Sequence, residues 1–403
     1  MDIYVARQPI FKKNKIIYAY ELLFRDSMEN YIPDGIDGDV ATSKVLSGSF
    51  LTMGIEAITG GRRAFINFTP NLLMKKIPMM FPNEKTVIEV LESTGNETIL
   101  MHTCKEMREN GYIIALDNFN YSLEQEPLIS VTDIVKIDFA ANSLETIQEF
   151  IKNLPSNLKL LGEKIETHED FKAAVDMGFD YFQGYFFCKP EVLHVKELSS
   201  FQMNLLQIMA EANKPEIELS KLETLISRDI TISYKLMRYI NSAHFMRRRE
   251  LSTIKEAIIY LGEEEFRRFI SLIAMSTLAT DKPSELIMVS CIRAKFCELA
   301  AASVGNCSEN PWELFTLGLF SLIDAILDQP MEIIMKKLPL TDNIINALAN
   351  RTGNFFDYLN LVESYDKGSW NEIVKINKKL AIDGKKLPLI YAEACIWANA
   401  LIQ

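Results

Sequence analysis

The chain is poor in everything that would support a disulfide framework, a zinc centre or a membrane span. Its six cysteines, at positions 104, 188, 291, 297, 307 and 395, are scattered without a Cys-x-x-Cys pair. Such usage suits buried thiols in a reducing compartment. Only four histidines occur (102, 168, 194 and 244), and none are at metal-ligand spacing. No apolar run approaches the ~18 residues a membrane helix needs, and Met1-Asp2-Ile3-Tyr4-Val5-Ala6-Arg7 has no leader-like pattern. The expectation is a cytoplasmic protein. Positive charge is also scarce: 43 Lys+Arg against 54 Asp+Glu leave a net charge of −11. The whole therefore repels DNA and anionic membranes, and neither is an expected partner.

What remains is ordinary globular material, 48% hydrophobic and 24% charged over 403 residues, a length that suits two domains. The pattern changes near residue 195. Before it, short β-branched or aromatic runs alternate with helical stretches. The predicted strands are Ile3–Ala6, Ile16–Phe24, Ala64–Phe68, Thr86–Val90, Ile113–Asp117, Ile134–Asp138, Leu158–Glu163 and Tyr181–Phe186. The stretch Asn96–Asn110 reads as a helix between a capping-type Asn96 and Gly111. Repeated units of this kind imply an α/β fold with a largely parallel sheet, a closed barrel first and an open doubly wound sheet second. After residue 195 the periodicity is helical almost throughout, from Phe201–Ala212 to Leu387–Ile402, and predicts an all-α domain. The division is therefore 1–195 and 196–403.

Nearly every predicted strand in the first half closes on or near a residue able to bind metal or move a proton: Glu21, Asn67, Glu89, Asp117, Lys136 with Asp138, Glu163 and Gln183. A buried unpaired carboxylate is costly, so acids at successive strand ends must share a cation or face water. In a barrel those ends form one rim, and residues distant in sequence converge there. Glu21, Asn67, Glu89 and Asp117 are hard oxygen donors suited to Mg²⁺ or Mn²⁺ rather than zinc. Lys136 can pair with the acids or orient a water, Glu163 is a candidate general base or further ligand, and Arg25 offers a fork to phosphate oxygen. Together they suit metal-assisted hydrolysis of a phosphate ester. Any one such acid alone would read as a solvated cap or ion-pair partner. The succession of them carries the reading.

The same residues carry a family resemblance. Gln8-Pro9-Ile10 followed by Glu21-Leu22-Leu23-Phe24-Arg25 is similar to the opening of the EAL domain, whose members hydrolyse or sense cyclic di-GMP. Further matching segments follow in family order: Ile66-Asn67-Phe68-Thr69-Pro70, Ile88-Glu89-Val90-Leu91-Glu92, Leu116-Asp117-Asn118-Phe119, Val135-Lys136-Ile137-Asp138, Gly162-Glu163-Lys164-Ile165-Glu166-Thr167 and Gln183-Gly184-Tyr185-Phe186. The resemblance implies a TIM-like barrel whose first strand is antiparallel. It also implies that Glu21, Asn67, Glu89 and Asp117 hold one Mg or Mn ion, with Asp117 shared by a second. Lys136 and Glu163 would be catalytic. Gln8, Arg25, Gln183 and Asp138 would lie near the dinucleotide, and Glu92 would steady the loop after Asp117. That loop departs from the family's Asp-Asp-Phe-Gly-Thr-Gly. It reads Asp117-Asn118-Phe119-Asn120-Tyr121-Ser122, so the second-metal ligand Asn118 lacks a charge.

The second half resembles the HDOD domain in Leu222–Asp229, Ser233–Ala243 and Ile254–Gly262. Its lone His244 does not suffice for a hydrolytic His-Asp site, so a non-catalytic interaction domain is implied. Arg247-Arg248-Arg249, followed by Glu250, reads as a solvated, ion-paired surface. The expected function is an EAL-type phosphodiesterase opening cyclic di-GMP to linear diguanylate. The alternative is a degenerate EAL receptor or scaffold that signals through the HDOD domain. The expected partners are cyclic di-GMP, a protein on the HDOD domain, and a second copy of the chain as a homodimer.

Overall fold

A computed structural model of the chain describes residues 4–25, 55–90, 97–117, 126–189, 199–212, 214, 217–240, 253–280, 282–304, 309–338 and 340–402. Eight strands close a barrel in sequence order. They are β1 (Tyr4–Lys12), β2 (Ile17–Arg25), β3 (Arg63–Phe68), β4 (Thr86–Val90), β5 (Ile113–Leu116), β6 (Ile134–Asp138), β7 (Lys159–Glu163) and β8 (Tyr181–Gln183). Strands β2 to β8 pair in parallel, whereas β1 runs antiparallel to both of its neighbours. The closed barrel, not the open sheet, is the outcome, with the inverted first strand that the EAL resemblance implies.

The β1–β2 reversal is a tight turn in which Lys15 takes a left-handed φ of 59°. Strand β1 is longer than the Ile3–Ala6 expected from the sequence because Pro9, ordinarily a strand breaker, is harmless here. Only Ile10–Lys12 of β1 pair with β8, so Pro9 lies where no second neighbour needs its missing N–H. Strand β8 stops at Gln183 rather than Phe186 because Gly184 turns the chain at φ 147°.

Side chains two residues apart share a strand face, and this fixes the barrel interior in layers. One layer is apolar and buried: Ile10, Ala19, Phe65, Val87, Ala115, Ile134 and Leu161. The residues two positions nearer the rim are Gln8, Glu21, Asn67, Glu89, Asp117, Lys136 and Glu163. On the inverted strand β1 the step from Ile10 to Gln8 runs backwards, as the geometry requires. Gln183 completes that polar layer, two residues after the partly buried Tyr181 that packs against the apolar layer from the other side. Helices start close after several strand ends. Thr69 caps the helix Pro70–Met74, and Ser143 caps Leu144–Asn153. Thr167 forms a capping box with Asp170 at the start of His168–Asp176. The predicted helix Asn96–Asn110 is observed as Glu97–Glu109.

The chain divides into two compact units, Met1–Phe187 with Glu363–Gln403, and Cys188–Val362. The expected cut at 195 lies outside the described residues, and the stretch from Glu363 onward, expected in the second domain, groups with the barrel. The reason is visible in the last helix, Leu387–Ile402. Its Leu387, Tyr391, Ala394, Cys395 and Ala398 form a buried stripe at helical spacing, and the helix packs on β1 and on the helix Ile55–Thr59.

The Cys188–Val362 unit is helical, with no strand among its described residues. Thr253 and Glu256 form a capping box for Ile254–Leu261. The helices Ser284–Ala302 and Pro311–Phe320 meet at Gly318, where a Cβ would lie 2.4 Å from the main chain of Arg293. The helix Pro311–Phe320 is broken before Ile323–Leu327, which is a separate turn of helix. Ser321 explains the break. Its hydroxyl donates to the Gly318 carbonyl at 2.7 Å and accepts from the Arg293 guanidinium at 3.3 Å.

Candidate active site at the barrel mouth

The polar layer is organised around the ammonium of Lys136, which β6 delivers to the barrel interior with no solvent exposure. Its Nζ lies 2.6 Å from Glu89 Oε1, 2.8 Å from Glu163 Oε1, 3.3 Å from Glu21 Oε2 and 3.4 Å from Asp117 Oδ1. Four strands thus point carboxylates at one cation. Glu21 receives further donors: Gln183 Nε2 at 2.7 Å on Oε2 and Asn67 Nδ2 at 3.2 Å on Oε1. Gln183 Nε2 also donates to Gln8 Oε1 at 3.1 Å. Eight predicted residues (Gln8, Glu21, Asn67, Glu89, Asp117, Lys136, Glu163 and Gln183) therefore form one network.

Asp138 stands apart. Its carboxylate accepts from Lys164 at 2.6 Å and from the amides of Ala140 and Ala141 at 2.8 and 3.0 Å. Burial works to raise its pKa, but the Lys164 hydrogen bond and these amides prevail and hold it lowered. Arg25 ends β2, and its side chain lies outside the described residues, as do Glu92, Asn118 and the rest of the loop after Asp117.

Burial and mutual repulsion set the proton affinities of the cluster. Glu89 has the most extreme site, and burial followed by the negative charge of Glu21 pushes its carboxyl well above the ordinary range, against the pull of Lys136. Glu163 is pushed up to about 7, chiefly by burial, which Lys136 only partly offsets. Glu21 goes the other way: burial would raise it, but Lys136 and the donors Gln183 and Asn67 keep it ionised. For Lys136, burial favours the neutral amine and the surrounding carboxylates overcome it, so it stays charged. Two carboxyl groups on one cation are thereby pushed toward opposite protonation states, an arrangement that allows one to act as a base while the other stays anionic.

The donor set also bears on a metal. Asn67 Oδ1 and Glu89 Oε2 are buried without a hydrogen-bond partner. Together with the carboxylates of Glu21 and Asp117 they make an all-oxygen set matched to a hard divalent ion. Among the described residues no three acidic, histidine or cysteine groups are arranged to hold an ion by themselves, and the ammonium of Lys136 lies among the carboxylates of this set. The residues fit the chemistry of such an ion, and the lysine would share its carboxylates with it.

Three supporting features escaped the sequence reading. Lys164, inside the segment after β7, takes Asp138 away from the cluster. Gly184 lets the exit of β8 cross the turn after Glu163. A Cβ there would lie 2.0 Å from the Ile165 carbonyl oxygen, and the Ile165 amide donates to the Gln183 carbonyl at 3.0 Å. The glycine after Gln183 was the available signal. Finally, Gln8 Nε2 reaches the main-chain carbonyl of Asp366 at 3.5 Å, a contact that no local pattern announces.

The fold and cluster define an EAL-type barrel in one chain with an all-helical unit. The HDOD domain model matches residues 198–326. The chain belongs to the EAL-HDOD signalling proteins. It is 34% identical over 399 residues to the cyclic di-GMP phosphodiesterase CdgJ of Vibrio cholerae, covering 98% of this chain and 92% of that one. It is also 34% identical over 412 residues to YuxH of Bacillus subtilis, covering 100% of this chain and 99% of the relative. Among solved structures it is similar to the Bacillus subtilis YkuI protein, which has an EAL domain and was solved with cyclic di-GMP and calcium. The TM-score is 0.38 at 22% identity, covering 66% of this chain and 72% of that one. A standalone EAL protein of Vibrio cholerae in its cyclic di-GMP-bound form gives 0.37 at 21% identity, with coverages of 47% and 92%.

Proposed function

We propose that the barrel mouth hydrolyses cyclic di-GMP to the linear diguanylate. The observation that carries this reading is the convergence of Glu21, Glu89, Asp117 and Glu163 on the buried Lys136, in a chain akin to a cyclic di-GMP phosphodiesterase. Glu21, Asn67, Glu89 and Asp117 would hold a divalent cation, Mg or Mn by the preference of their oxygens. Such an ion neutralises phosphate charge and lowers the pKa of water. Glu163, pushed up to about 7, suits the base that takes the proton from the attacking water. Lys136 holds Glu163 at 2.8 Å and offers a positive partner to the charge that develops on phosphate. Water adds across one phosphodiester bond, one ring oxygen leaves as a hydroxyl, and the ring opens. In this reading Gln8, Gln183 and Asp138 would lie toward the dinucleotide, Arg25 would bind phosphate and Glu92 would steady the loop after Asp117.

A receptor reading has one specific observation in its favour, the uncharged Asn118 directly after Asp117. In it the barrel binds cyclic di-GMP without turnover and the HDOD domain passes the signal to a protein partner, in the cytoplasm, with or without a homodimer. No described helix is long and apolar enough to cross a membrane, and DNA is not a partner in either reading. Incubating the full chain with cyclic di-GMP and Mn²⁺ and resolving the products by chromatography separates the two. The expected result is linear diguanylate from the wild type and none from Glu21→Ala. Binding without product selects the receptor.

A further inference from the structure

The stretch from Glu363 to the C-terminus comes after the helical unit in sequence, yet it packs with the barrel. Its attachment is built from specific contacts. Asn399 Nδ2 donates to the Ala57 carbonyl at 2.7 Å, at the helix that precedes β3. Gly368, at φ 65°, turns the chain so closely over β2 that a Cβ there would lie 2.9 Å from Leu23 Cδ1. Tyr365 stacks on Tyr391 with centroids 4.7 Å apart and meets Trp370 edge-on at 5.6 Å, which ties the turn to the last helix. Lys367 lies 5.6 Å from the ring of Tyr185, two residues beyond Gln183. Between these contacts the Asp366 carbonyl accepts from Gln8 Nε2 at 3.5 Å. Gln8 in turn accepts from Gln183, and the same Gln183 nitrogen donates to Glu21.

We propose that the segment Glu363–Gln403 is a positioning element of the barrel site, acting through the Asp366 carbonyl on Gln8 and from there through Gln183 on Glu21. The inference rests on the cluster being the working site. A side-chain amide has two donors and one acceptor oxygen, so its rotation is free until both ends are engaged. The Asp366 carbonyl engages the amino end of Gln8 and thereby turns the Gln8 oxygen toward Gln183. That in turn leaves the Gln183 amino group aimed at Glu21. Because the acceptor is the main-chain carbonyl of Asp366, the position of the turn sets this orientation, and the anchors of the turn are Gly368 and the helix that carries Asn399.

Two variants test the inference in the full-length chain without touching the polar layer. Gly368→Val displaces the turn from Leu23, and Asn399→Ala releases the last helix from Ala57 with less risk to folding. Side-chain amide resonances of Gln8 and Gln183, read in a glutamine-labelled sample, are expected to shift in both variants while the glutamines of the helical unit stay in place. The affinity for Mn²⁺ alone, by calorimetry, is expected to fall about 3- to 10-fold, the loss of one or two hydrogen bonds. Unmoved Gln8 and Gln183 signals in the folded Asn399→Ala variant overturn the inference. Moved signals with unaltered Mn²⁺ affinity overturn the positioning role as well. If the wild type itself takes no Mn²⁺, the metal-dependent reading of the site fails, and the amide signals alone then decide the inference.

Discussion

Replacing Lys136 by methionine removes the ammonium on which four inward carboxylates converge while keeping most of the side-chain volume. Three of its partners, Glu89, Glu163 and Glu21, lie within 3.3 Å of a nitrogen that has no solvent exposure, so water cannot take its place. Breaking a buried charge pair by deleting one partner costs about 3–5 kcal/mol, and the crowding of like charges here places Lys136→Met at the upper end. The exposed pair Lys76–Glu106, at 2.5 Å but with both side chains about half in water, is the control. Lys76→Met should cost less than about 1 kcal/mol. Urea denaturation in the presence of a chelator, followed for the barrel unit by hydrogen exchange, gives both values. Protons can replace the lost ammonium, so the deficit of Lys136→Met should shrink as the pH falls from 8 toward about 5. A deficit below about 1 kcal/mol, or one unchanged over that range, would refute the claim that the lysine neutralises this cluster.

Other perturbations follow from the same geometry. Glu163 has its folded pKa raised from 4.5 to about 7. Its contribution to stability is therefore complete below pH 4.5 and lost as the pH rises through 7, by an upper bound of about 3 kcal/mol. Glu163→Gln should flatten that part of the stability profile, and an unchanged profile from pH 5 to 7.5 would place its pKa at the ordinary value. Gly184→Ala puts a methyl group 2.0 Å from the Ile165 carbonyl oxygen in a backbone region that disfavours side chains. A loss of at least about 3 kcal/mol is expected in the barrel transition, with nothing lost from the helical unit. Gly318→Ala inverts that pattern. Its Cβ meets the Arg293 main chain at 2.4 Å, and about 1–3 kcal/mol should disappear from the helical transition alone.

Much of this was legible because period-two patterning and the strand-end acids speak in the same register. Strands β4 and β6 fall where the β-branched runs place them, and β3 begins one residue earlier at Arg63. The sequence pairs each inner apolar residue with a polar one two positions on, Phe65 with Asn67 and Val87 with Glu89, which is the signature of a plugged barrel with a polar mouth. It understated β1, since Pro9 argues against a strand until the partner that would need its amide is known to be absent. It also could not assign the last helix. The stripe Leu387, Tyr391, Ala394, Cys395 and Ala398 announces a buried face, but periodicity does not say which surface buries it. Lys164 was hidden for a similar reason, since its partner Asp138 lies on a neighbouring strand and only pairing in register reveals the contact.

The central claim is that the oxygens around Lys136 receive a divalent cation and cyclic di-GMP together. Titrating cyclic di-GMP into the full-length protein by calorimetry, in Ca²⁺ and then in chelator, with Asp117→Asn alongside, addresses it most directly. The account predicts saturable one-to-one binding to the barrel that weakens at least about 10-fold when the cation is removed or the Asp117 charge is deleted. Binding of equal strength in all three samples, or none in any, would contradict it.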